Sequence, residues 1–99
     1  MKEVGQPLNL LGLAKAGAGQ VAPVPGTGLE VLLLDEGRPA TIATASWLAV
    51  LEGELIVDLP HGDFRILQQG DSLHLPAGLE VGFEPLKPTV VLRSVPAEQ

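Results

Sequence analysis

Hydrophobic and polar positions alternate along this chain in short runs. Leu55, Val57 and Leu59 fall on one face of their run, and Glu54, Ile56 and Asp58 on the other. Leu73 and Leu75 oppose Ser72 and His74, while Val81 and Phe83 oppose Glu80 and Glu84. Toward the end, Thr89, Val91, Arg93 and Val95 share a face opposite Val90 and Leu92. Successive side chains of a strand point to opposite faces, so a period of two over short runs marks half-buried strands. A helical period is nearly absent. The pattern predicts strands at Leu8–Leu13, Gln20–Val24, Leu29–Leu34, Ala40–Ala45, Trp47–Glu52, Glu54–Leu59, Phe64–Gln68, Ser72–Leu75, Glu80–Phe83 and Thr89–Val95.

Twelve Gly and nine Pro cut the chain between these runs. Turns are expected at Pro25-Gly26, Glu36-Gly37, His61-Gly62, Gln69-Gly70 and Ala77-Gly78, where Gly permits positive φ and Pro fixes its own. Gly26-Thr27-Gly28 reads as a turn and not a phosphate loop, since neither a Lys nor a helix follows it. Regularly spaced short strands imply an all-β sandwich or barrel with about nine or ten antiparallel strands. The 99 residues fit one domain, 1–99, without internal repeat or linker. Pro96–Gln99 is expected to fray.

Composition narrows the functional classes. Hydrophobic residues make up 45% and the mean hydropathy is +0.30, high for a small soluble monomer. A second subunit covering part of that surface is expected, hence a homodimer. Six Lys/Arg against twelve Asp/Glu give a net charge of −6. That balance cannot form a phosphate-tracking stripe, and two Phe and one Trp make no stacking platform. Nucleic acid and anionic membranes are therefore not expected partners. The lack of cysteine removes disulfides, Cys-zinc sites and thiol nucleophiles. At the start, Lys2 precedes Leu8, Leu10, Leu11 and Leu13, but Gln6, Pro7 and Asn9 break the apolar stretch and Lys15 follows it. This reads as an amphipathic first strand rather than a signal peptide, so a cytoplasmic location is expected. The uncharged run Pro39–Leu51 is too short to cross a membrane.

The segment Gly70-Asp71-Ser72-Leu73-His74-Leu75-Pro76-Ala77-Gly78-Leu79-Glu80-Val81 matches in spacing a Gly, five residues, a Pro, one residue, a Gly, two residues and a final position. It resembles the second motif of the cupin superfamily. Val50-Leu51-Glu52-Gly53-Glu54-Leu55 resembles the end of the first motif, where a strand hairpins at Gly into its partner. The two motifs span about residues 41–84. The resemblance implies a small single-domain cupin, an RmlC-like jelly-roll barrel.

The family's metal ligands are missing. The final position of the second motif, a His in the family, is Val81. Counting back from Gly53 places Ser46 at the first motif's Glu, and its two His positions at Ala40 and Ile42 or at Pro39 and Thr41. Arg38–Glu52 contains no histidine in any register. Converging His and Glu side chains are what hold a catalytic metal in such a barrel. No metal and no cofactor are therefore expected. By the resemblance, position 81 faces the lumen, so Val81 and Phe83 should line an apolar interior. Ile42, Ser46, Trp47 and Ser72 complete the candidate ligand-binding or lumen-lining set.

His74 is the one candidate acid–base residue, with Ser72 as its same-face neighbour. The competing reading is an exterior or subunit-contact histidine. His61 lies in the turn Pro60-His61-Gly62-Asp63 and is expected to be solvated. Glu30, Glu52, Glu54, Glu80 and Glu84 read as solvated edge residues that discourage strand-to-strand aggregation. A lone Trp47 is more often packed than stacked on a ligand. Arg38, Arg65 and Arg93 have the chemistry to grip a carboxylate or phosphate, but nothing in the sequence brings them together. The expected function is that of a metal-free small-molecule binding or regulatory module. The alternative is a metal-free sugar or lactone isomerase using His74. A metalloenzyme with displaced ligands is disfavoured by the presence of only two histidines.

Overall fold

The computed structural model describes residues 5–17 and 19–94. Lys2, Val95 as a strand end and the expected fraying of Pro96–Gln99 lie outside those residues. In chain order the elements are α1 (Leu10–Ala16), β1 (Ala22–Val24), β2 (Leu29–Leu34), β3 (Arg38–Thr41), β4 (Ser46–Glu52), β5 (Glu54–Asp58), β6 (Phe64–Gln68), β7 (Ser72–Leu75), β8 (Glu80–Pro85) and β9 (Thr89–Ser94). A single 3₁₀ turn, Pro60–Gly62, joins β5 to β6.

Among the described residues, nine strands form two antiparallel sheets. One has five strands in the order β1-β2-β9-β4-β7, and the other four in the order β3-β8-β5-β6. No backbone ladder joins the sheets among the described residues, so the layers make a sandwich rather than a fully closed barrel. The period-two pattern explains the core between them. Leu32, Leu34, Leu48, Val50, Leu75 and Val91 of the first sheet meet Leu55, Val57, Leu67, Val81 and Phe83 of the second. Each fully buried side chain of this kind contributes roughly 1.5–3 kcal/mol.

The expected first strand, Leu8–Leu13, is instead the entry to helix α1. The Asn9 side chain accepts from the Gly12 N–H at 3.0 Å and caps the helix, as an N-cap Asn does by satisfying a free first-turn donor. Leu10, Leu13 and Ala14 then recur at helical spacing and pack with Leu11 on Val31 and Val90, over the outer face of the five-stranded sheet. A second, smaller core therefore lies on the far side of that sheet. The expected strand Ala40–Ala45 is also shorter and shifted, ending at Thr41. From there Ile42 turns to exchange backbone bonds with the next hairpin: its N–H donates to Leu79 at 2.8 Å, and its carbonyl accepts from Gly78 at 2.6 Å.

Gly53 turns the β4–β5 hairpin at φ +102°. A Cβ there would lie 2.5 Å from the Thr89 hydroxyl and 2.8 Å from the Pro88 carbonyl oxygen, so both backbone conformation and space demand glycine. Thr89 is fully buried. Its hydroxyl accepts from the Glu54 N–H at 3.2 Å and lies 2.9 Å and 2.7 Å from the carbonyls of Glu54 and Lys87, which tie the hairpin to the start of β9. Gly70 and Gly78, the two motif glycines, both sit at φ +92°.

Candidate functional site

Two adjoining cavities open between the sheets, each of about 220 Å³. They share Leu48, Phe83 and Arg93 as a common wall. The inner one is lined by Leu32, Leu34, Leu55 and Val91, with Arg38 and Pro39 at its rim. The outer one is bounded by the β3–β4 loop through Ile42, Thr44 and Ser46, and by Glu30 and Leu75.

Register places the charges in the outer cavity. Glu30 of β2 stands opposite Arg93 of β9, on the inward face that also carries Leu32 and Val91. The Arg93 Nε donates to the Glu30 carboxylate in a close ion pair, with the Glu30 side chain only 17% exposed. Ion pairs of this kind keep a partly buried charge from standing alone. Arg38 comes from the other sheet, where it pairs with Phe83 across β3 and β8 and reaches the inner cavity from its exposed rim. The Ser46 hydroxyl is occupied locally, donating to the Thr44 carbonyl at 2.8 Å.

Three residues of the expected set line the cavities: Ile42, Ser46 and Phe83. Val81 is buried in the main core and borders neither, so its side of the interior is filled. The residue also borders a shallow outer groove with Glu80 and Thr41. Trp47 and Ser72 do not line the interior. The β4–β7 register, with Leu48 opposite Leu73 pointing in, turns Trp47, His74 and Ser72 to the outer face. His74 is exposed there beside Trp47. His61 occupies the 3₁₀ turn with φ 65°, at the surface. Asp63 follows it, and the Arg65 side chain together with the Phe64 N–H hold its carboxyl below the usual carboxylate range.

In the sequence Glu30 reads as an edge residue, and nothing there brings the arginines together. The legible signal was Arg93 on the same face as Val91, since a cation on an inward face requires a partner. Among the described residues, no three His, Asp or Glu side chains come together to hold a metal ion.

No family model matches the chain, and no curated protein matches it. Solved structures do. A cupin-2 domain protein of Shewanella frigidimarina superposes with a TM-score of 0.66 at 18% identity, over 79% of this chain and 78% of that one. This chain has the cupin fold. The chain is also similar to the ethanolamine utilization protein EutQ of Salmonella typhimurium, at 27% identity and a TM-score of 0.63. That match covers 74% of this chain and 62% of EutQ, so the chain spans under two-thirds of its length. A Neisseria meningitidis protein gives a TM-score of 0.75 at 18% identity, covering 92% of this chain and 100% of its own.

By the motif spacing, the family's metal-ligand positions carry Ser46, Val81 and either Ala40 and Ile42 or Pro39 and Thr41. Aliphatic side chains have no donor atom, and the Ser46 hydroxyl is engaged by the Thr44 carbonyl. This donor set does not suit a transition metal, which takes imidazole, carboxylate or thiolate ligands.

Proposed function

We propose that this cupin is a metal-free, cytoplasmic small-molecule binding or regulatory module that works as a homodimer. The observation that carries the reading is the pair of adjoining cavities, apolar over most of their walls and polar at one end. Ligand sites are mostly concave and apolar, with a few placed polar groups that set orientation. The walls of the inner cavity, Leu32, Leu34, Leu48, Leu55, Phe83 and Val91, supply the apolar part. Glu30, Arg38 and Arg93 supply the polar end.

A titration of the full chain with hexanol, followed through methyl NMR signals, tests this. Shifts confined to Leu32, Leu34, Leu48, Leu55 and Val91 support the reading. Unmoved signals at those methyls would sink it. The isomerase alternative rests on His74, which faces solvent on the outer side of the five-stranded sheet and borders neither cavity. No observation favours it.

A further inference from the structure

We propose that Arg38 and Arg93 hold the carboxylate of a small monocarboxylic acid whose apolar body lies between the sheets. The proposal rests on the binding-module reading and adds the class of ligand.

Two of the chain's three arginines border one apolar cavity, although the chain as a whole carries a charge of −6. They arrive from opposite sheets, on β3 and β9, so strand neighbourhood does not account for both bordering the same cavity. Glu30 engages Arg93 through Nε. A guanidinium presents its five donors in a planar fork, and pairing at the Nε edge leaves the two terminal nitrogens as a second edge. Among the described residues, no hydrogen bond or ion pair occupies that edge or the Arg38 guanidinium. A carboxylate is the planar acceptor that matches such a fork.

Charge and size narrow the ligand further. Two arginines and Glu30 leave one net positive charge at the mouth, which a monoanion neutralises and a dianion overshoots. Each cavity of about 220 Å³ holds the volume of roughly seven waters at about 30 Å³ apiece. That suits a short aliphatic chain or a single ring. Glu30 acts as a positioning residue: it fixes one edge of Arg93 so that the other faces the cavity, and its negative charge moderates affinity.

The test is calorimetric titration of the full chain with hexanoate and benzoate beside hexanamide and benzamide, at neutral pH and low salt. Charge-assisted bidentate bonds favour the acids, by about ten-fold or more over the amides. Arg38→Gln and Arg93→Gln should each remove that preference, and Arg93→Lys should not restore it, because an ammonium lacks the fork. Glu30→Gln should tighten hexanoate binding by lifting the repulsion, an effect that a purely structural role for Glu30 would not produce. Circular dichroism melts establish that each variant folds. Where one does not, the acid–amide comparison on the unmodified chain still decides. Equal affinity for acid and amide overturns the carboxylate assignment and leaves the binding-module reading standing. Failure of all four compounds to bind also overturns it, and the hexanol titration then separately decides whether the cavity binds small molecules at all.

Discussion

At Gly53 a side chain would have to share space with the Thr89 hydroxyl and the Pro88 carbonyl while the backbone holds φ at +102°. Gly53→Ala is therefore expected to destabilise the protein by about 2 kcal/mol or more, through strain and overpacking together. Gly70 has the same need for positive φ but open space around it, so Gly70→Ala should cost only the conformational part, about 1 kcal/mol. Urea denaturation of the two variants measures the difference. If they lose equal stability, the close approach at Gly53 is not what demands glycine there. Thr89→Val keeps the shape of the side chain and removes the hydroxyl that serves Glu54 and Lys87. Losing these bonds should cost about 0.5–1.5 kcal/mol in the same assay, since the Glu54 carbonyl keeps the Leu86 N–H as a donor. Asp63 offers a pH test. Its depressed folded value means that its pairing with Arg65 stabilises at pH above the ordinary carboxylate range and is lost as pH falls through the lowered value. An NMR titration should place its midpoint below 3.8. Arg65→Gln should raise that midpoint, and an unmoved value would show that the arginine is not the cause.

At the scale of elements, alternation and turn residues were the legible signals, and they located nine of the strands to within a few residues. Gly53, Gly70, Pro76 and Gly78 were informative because a turn with positive φ or a close approach leaves few substitutes. Helix α1 stands where alternation predicts a strand, for a definable reason. Leu8, Leu10 and Gly12 mimic alternation, and Gly12 weakens a helical pattern. The outcome was decided by the Asn9 cap and by the chance to bury Leu10, Leu13 and Ala14 on the outer sheet face. Asn9→Ala should cost about 1 kcal/mol, with amide exchange rising in Leu10–Ala16 before the strands. Uniform protection after the change would mean that the cap does not hold the helix. The Lys15–Glu52 bridge, at 2.9 Å between exposed groups, adds little by comparison. The Glu30–Arg93 pair and the cavity that Arg93 and Arg38 both border were not legible, because they depend on which strands become neighbours and which sheets face each other. Period-two reading gives a face to each residue, but it does not give the partner.

At the scale of the molecule, the sandwich leaves several large apolar side chains exposed, three of them on its strands' outer faces or edge. Trp47 is 36% exposed on the outer face of the five-stranded sheet, and Phe64 and Ile66 are about half exposed on edge strand β6. The proposed homodimer should appear in sedimentation velocity as a species of twice the chain mass across micromolar concentrations, and Trp47→Glu should shift it toward monomer if that face is the contact. A monomer at all concentrations would remove the dimer from the proposal. The central claim is that a cupin sandwich here keeps its cavity while Ile42, Ser46 and Val81 leave no place for the metal. It is tested most directly by elemental analysis of the full chain after incubation with manganese, iron, nickel and zinc salts, desalting and brief chelation. The expected result is no retained transition metal beyond trace. A stoichiometric metal that survives the chelator would contradict it.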